Sequence, residues 1–205
     1  VRGLVERQPL RFATDATRAA QVTHPERALP AGAMATIAPP APAPRVPFPA
    51  AAGVLFGIGL GGFFDGIVLH QLLQWHHMLT SAGYPADSAR NLQINTLADG
   101  LFHSVTYVCV VVALVLLWRR AHGRHLWWST RLLAGTMLVG FGGFNVVEGL
   151  VNHQWLGLHH VNETVPRDQW VWWDIGFLLW GAAMAAAGAW LWRSAPPPGG
   201  ERATR

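Results

Sequence analysis

The chain has 205 residues, of which 51% are hydrophobic and only 13% charged, with a formal net charge of +4. So few charges exclude the usual surface of a soluble domain of this length and point to a membrane protein. All fifteen basic residues are arginines that fall in the ends and loops rather than along a helical face, which excludes a nucleic-acid-binding stripe. The mean hydropathy of +0.24 averages an apolar middle with two polar, proline-rich ends.

Residues 1–50 carry scattered arginines and then the tract APPAPAPRVPFPA, which neither continues a helix nor builds a core, so a disordered arm is expected there. No apolar stretch with a cleavage site precedes that tract, so the first hydrophobic segment is expected to act as an uncleaved anchor. Met34, just before the tract, is a candidate translation start, and His24 is read as solvated.

Four apolar segments follow across residues 51–194, each near the roughly 20 residues a membrane helix needs. They run from about Gly53 to Leu79, Leu97 to Trp118, Arg131 to Leu156 and Trp170 to Trp192. Tryptophans crowd their ends, as interfacial residues do. The fold class predicted is all-α, a polytopic four-helix membrane bundle, with residues 195–205 as a disordered tail. Arginines concentrate before the first segment, between the second and third (Arg119, Arg120, Arg124, Arg131) and after the fourth, which predicts cytoplasmic termini in a bacterial inner membrane. His122 and His125 then lie in a cytoplasmic loop. Small residues four apart, Gly53, Gly57 and Gly61 on the first segment and Gly181, Ala185 and Ala189 on the fourth, predict close helix packing.

The first segment contains DGIVLHQLLQWHHM. A shift of 83 residues lays it on EGLVNHQWLGLHHV, pairing Asp65 with Glu148, His70 with His153, His76 with His159 and His77 with His160. Asp99 and Asp174 correspond at an offset of 75. The pattern predicts a duplicated helical hairpin whose copies run the same way through the membrane, related by a pseudo-twofold axis along its normal.

Ionisable groups in membrane helices are costly and functional by default. On a regular helix His70 and His77 share a face, within about 20° of each other, but stand about 10 Å apart in rise. Two layers are therefore expected: an inner one of His70, His103, His153 and Glu148, and an outer one of His76, His77, His159, His160, Asp99 and Asp174. Asp65 lies deepest. Asp99 and His103 are one turn apart, whereas the position matching His103 is Leu178, so an asymmetric site is expected. Individual glutamines and Asn145 read more simply as hydrogen-bonded packing groups.

Cys109 is the sole cysteine, which excludes an internal disulfide and thiolate-clustered metals. Imidazole and carboxylate suit copper, iron, zinc or manganese. Carboxylate and histidine sets on four helices are similar to soluble di-iron bundles, although the E-x-x-H spacing of those proteins is absent. The leading reading is a membrane metalloprotein, either a metal-dependent oxidoreductase or a metal-handling factor. The alternatives are a haem-binding electron carrier, with His70, His103 and His153 as ligands, and an ion or proton transporter through the bundle. No nucleophilic triad or phosphate loop is present.

The segments GFFDGIVLHQLLQWHHM, ADGLFH, NVVEGLVNHQWLGLHHVNE and WDIGFLLWG resemble the bacterial family of predicted membrane proteins known as domain of unknown function 2243, over roughly residues 50–193. The resemblance implies a four-helix inner-membrane protein embedded in lipid and without an assigned activity. It also implies an accessory role beside respiratory oxidases or their assembly factors.

Overall fold

The computed structural model describes residues 45–198. The predicted arm up to residue 44, with His24 and Met34, and the tail from residue 199 lie outside them.

The last residues of the predicted arm are structured. Strand β1 (Val46–Pro47) pairs in parallel with β2 (Leu126–Trp127). Proline has no N–H to give, and the ladder is built around that: Val46 donates to the His125 carbonyl and Phe48 to that of Trp127, skipping Pro47. Phe48 is buried in an apolar cluster with Ala52, Ala113, Trp127 and Leu132. This cluster ties the chain ahead of the first helix to the start of the third.

Helix α1 (Ala50–Phe64) passes without a break into a π-helical segment, Asp65–Leu72. Helix α2 (Ala89–Ala121) begins two turns earlier than predicted, because Ser88 caps it by accepting the Asn91 N–H. Helix α3 (Thr130–Glu148), capped by Ser129, passes into a second π segment, Gly149–Trp155. A 3-10 turn, Arg167–Gln169, leads into α4 (Trp170–Arg193). Each of the four resulting rods is long and apolar enough to cross a membrane.

Helices α1 and α3 pack against each other, α2 against α1, and α4 against α3. The first and third rods bury much more of their apolar windows than the other two, whose aliphatic and tryptophan side chains remain exposed outward. Close backbone approach explains the glycines: a Cβ on Gly57 would strike the Met137 carbonyl, and one on Gly140 the Val54 carbonyl. Gly181 and Ala185 meet Gly142 as their spacing predicts, but the next contact on α4 is Gly188 against Gly135, rather than one through Ala189.

The first rod stops at Leu72 and not at Leu79. Gln74 adopts a left-handed conformation with φ of 50°, and the Trp75 N–H turns back to the Leu69 carbonyl at 2.9 Å. The third rod ends the same way: Gly157, 83 positions on, has φ of 58°, and the Leu158 N–H reaches the Asn152 carbonyl at 2.8 Å. Both histidine pairs therefore sit in loops, at the end of the bundle away from the β1–β2 pair.

Candidate metal centre

The π segments place the deep carboxylates. Asp65 and His70, like Glu148 and His153, are five residues apart. On an α-helix that spacing turns the two side chains about 140° from each other. A π-helix closes i→i+5 hydrogen bonds, so the same spacing stacks them. Asp65 Oδ2 lies 3.2 Å from His70 Nε2, and Glu148 Oε2 lies 3.1 Å from His153 Nε2.

The loop histidines cross between the two halves. His76 donates Nδ1–H to the Val161 carbonyl at 2.8 Å, and His159 donates Nδ1–H to the Met78 carbonyl at 3.1 Å. A carbonyl only accepts, so each bond fixes the proton on Nδ1 and leaves Nε2 turned inward. The two rings stack 4.4 Å apart and nearly parallel, at 5°. Burial, followed by the neighbouring His159 and His70, holds His76 well below the usual histidine range, which keeps it neutral. Burial also pulls on His159, but the hydrogen bond and charge of Glu148, whose Oε1 is 3.0 Å from Nε2, outweigh it and raise its pKa.

Behind these groups stand two equivalent carboxylates. Asp99 accepts from His70 Nδ1 at 2.8 Å, His77 Nδ1 at 2.9 Å and the Met78 N–H at 2.9 Å. Asp174 accepts from His160 Nδ1 at 2.6 Å, the Val161 N–H at 3.0 Å and Gln154 at 3.0 Å, and lies 3.4 Å from His153 Nδ1. The contacts of the first half thus recur in the second at the offsets seen in the sequence.

The two predicted layers collapse into one cluster. Because the helix ends before the histidine pair, His70, His77 and Asp99 offer atoms within 4.8 Å of one another, and so do His70, His76 and His159, and Glu148, His153 and His159. His77 and His160 fall behind Asp99 and Asp174, at the partly exposed edge. His103 is not part of these groups. Its imidazole fills the space beside Gly66 and stacks on Phe63 at 6.1 Å, just as Leu178 fills the space beside Gly149. The predicted asymmetry is present, but lies outside the cluster.

Several contributors gave no signal in their own residue type. The Met78 and Val161 backbones carry contacts that only the tertiary crossing creates. Asn95 is fully buried and holds the Leu79 N–H at 2.9 Å, and Glu163 ties the two loops together by accepting from Ser81 at 2.6 Å and the His160 N–H at 2.9 Å. Gln154 is a hydrogen-bonded group as expected, whereas neither polar atom of buried Asn145 finds a partner among the described residues. Glu148 and Asn152 also line an otherwise apolar groove of about 550 Å³ between α1, α2 and α3.

No curated protein and no solved structure matches the chain. The family model for the predicted membrane proteins of DUF2243 matches residues 52–195, and the chain belongs to that family.

Proposed function

We propose that the chain is a bacterial inner-membrane metalloprotein, duplicated about an axis along the membrane normal, with cytoplasmic termini and a transition-metal site near the outward face. One observation carries this reading. Leaving aside His153 Nδ1, which faces Asp174, six buried atoms of Asp65, His70, His76, Glu148 and His153 make no well-formed hydrogen bond among the described residues, and all are potential metal donors in one small region. Leaving one buried polar atom unsatisfied costs roughly 1–3 kcal/mol. A bound cation offsets that cost.

The donor set fits. Asp65, His70, His76, Glu148, His153 and His159 would hold the metal. Asp99, Asp174 and the two backbone carbonyls engage the far ring nitrogens, the arrangement that orients and strengthens metal-bound imidazoles. Nitrogen and oxygen donors suit iron, copper, zinc or manganese. Such a site serves either an oxidoreductase or a factor that handles metal for respiratory oxidases. Of the three histidines that a haem would use, His70 and His153 turn both ring nitrogens toward carboxylates and His103 packs against Gly66 and Phe63, which favours a metal ion over haem. The apolar halves of α2 and α4 favour it over a conducting path.

The test is the double variant His70→Ala with His153→Ala, purified in detergent. Loss of bound metal with intact membrane insertion is expected; full retention of metal would refute the site.

A further inference from the structure

We infer that the cluster is a dinuclear centre, with one ion held by Glu148, His153 and His159 and a second by Asp65, His70 and His76. The inference rests on the metal reading above and adds the number of ions and the division of ligands between them.

The spacing of the donors argues against a single ion. Metal bonds to imidazole nitrogen and carboxylate oxygen are about 2.0–2.2 Å long, so two ligands of one ion stand at most roughly 4.4 Å apart. The donor atoms that lie within 4.8 Å of one another occur in overlapping threes, not as one set of six, with His159 shared between Glu148 and His153 on one side and His70 and His76 on the other. One of these threes, Glu148, His153 and His159, is a complete set of two imidazoles and a carboxylate. The Glu148 oxygens stand 3.0 Å from His159 Nε2 and 3.1 Å from His153 Nε2. Two histidines and one carboxylate with open positions are the donor set that suits non-haem Fe(II).

The equivalent set in the other half differs by one methylene. Asp65 Oδ2 lies 3.2 Å from His70 Nε2, much as Glu148 Oε2 lies 3.1 Å from His153 Nε2, but Asp65, His70 and His76 do not come together within 4.8 Å as Glu148, His153 and His159 do. Closing this set on an ion requires Asp65 or His76 to move, so the second ion binds more weakly than the first.

Charge points the same way. Four buried carboxylates, Asp65, Asp99, Glu148 and Asp174, surround the cluster. Two divalent ions balance all four with every imidazole neutral, whereas with one ion the remaining charge must be met by protons, as on His70 between Asp65 and Asp99. Uncompensated buried charge is strongly disfavoured.

The experiment is a titration of the full chain in detergent, stripped of metal, with Fe(II) in the absence of oxygen and separately with Mn(II), Zn(II) and Cu(II). Bound ions per chain are counted by elemental analysis after gel filtration. Two ions per chain with at least one of these metals, the first at least about tenfold tighter, is the expected result. His76→Ala and His153→Ala should each retain one ion. One ion per chain with all four metals would overturn the dinuclear assignment while leaving a metal site in place, and no ion with any of them would overturn both. Two ions retained by His76→Ala would overturn the division of ligands. The wild-type count decides nuclearity even where a variant fails to fold.

Discussion

Asp99 and Asp174 each gather two histidines and a backbone N–H onto one carboxylate, so they set imidazole orientation without needing to touch an ion. Removing such a partner lowers metal affinity by about 10–100-fold in comparable sites. Asp99→Ala and Asp174→Ala are expected to weaken binding to that extent in a chelator competition, whereas Glu148→Ala should abolish the tighter site. Equal loss in all three would contradict the orienting role. The protonation of His159 also has a definite sign. Glu148 raises its pKa, so its proton competes with metal at pH values where an ordinary histidine is already neutral; His76, lowered by burial, does not compete. Affinity should fall as pH is lowered across about pH 8 to 5, with proton release on loading. An affinity flat over that range would contradict the assignment. At this scale the identities of the polar residues were legible, because every histidine of the motif is written twice. Their roles were not: the exchange of hydrogen bonds between His76 and Val161 and between His159 and Met78 spans more than 80 positions, and nothing local in the sequence encodes it.

The π segments show why most residues of the candidate cluster could be named from the sequence while their arrangement could not be assembled from it. Four apolar rods follow from hydropathy and length alone, and all their starts and ends but two, the end of the first and the start of the second, fall within three residues of where composition puts them. A 3.6-residue period places Asp65 and His70 on different faces; the π geometry that reunites them leaves no compositional mark. The one available clue was the five-residue carboxylate–histidine spacing, present twice. The turn that ends each rod was equally hidden, since Gln74 is not a residue that favours positive φ, although its counterpart Gly157 is. Gln74→Gly should therefore be tolerated and raise stability by about 1 kcal/mol, the order of the left-handed penalty it relieves. Gly157→Val should lower stability by roughly 1–3 kcal/mol and loosen the His159 loop. Thermal unfolding in detergent, read alongside metal content, checks both; a neutral Gly157→Val would mean that the turn does not hold the site.

Across the whole molecule, the two central rods and their loops bring the site to one end of the bundle, while β1, β2 and the chain's entry into α1 lie at the other. In the orientation proposed from the arginine distribution, that second end faces the cytoplasm. In a Cys109→Ser background, Ser81→Cys should react with a membrane-impermeant thiol reagent in intact cells, and His122→Cys should react only after lysis. The reverse pattern would invert the proposed orientation. The bundle and its close-packed glycines were legible in the four-residue spacing of small side chains. The central position of α1 and α3 was legible only through the repeated polar motif, since hydropathy does not distinguish inner from outer rods. The claim on which the rest depends is that the buried imidazoles and carboxylates hold metal. Elemental analysis with an absorption spectrum, on untagged protein purified in detergent without chelators, tests it most directly: the account predicts stoichiometric iron, copper, zinc or manganese with no Soret band, and a metal-free protein that also fails to load on reconstitution would contradict it.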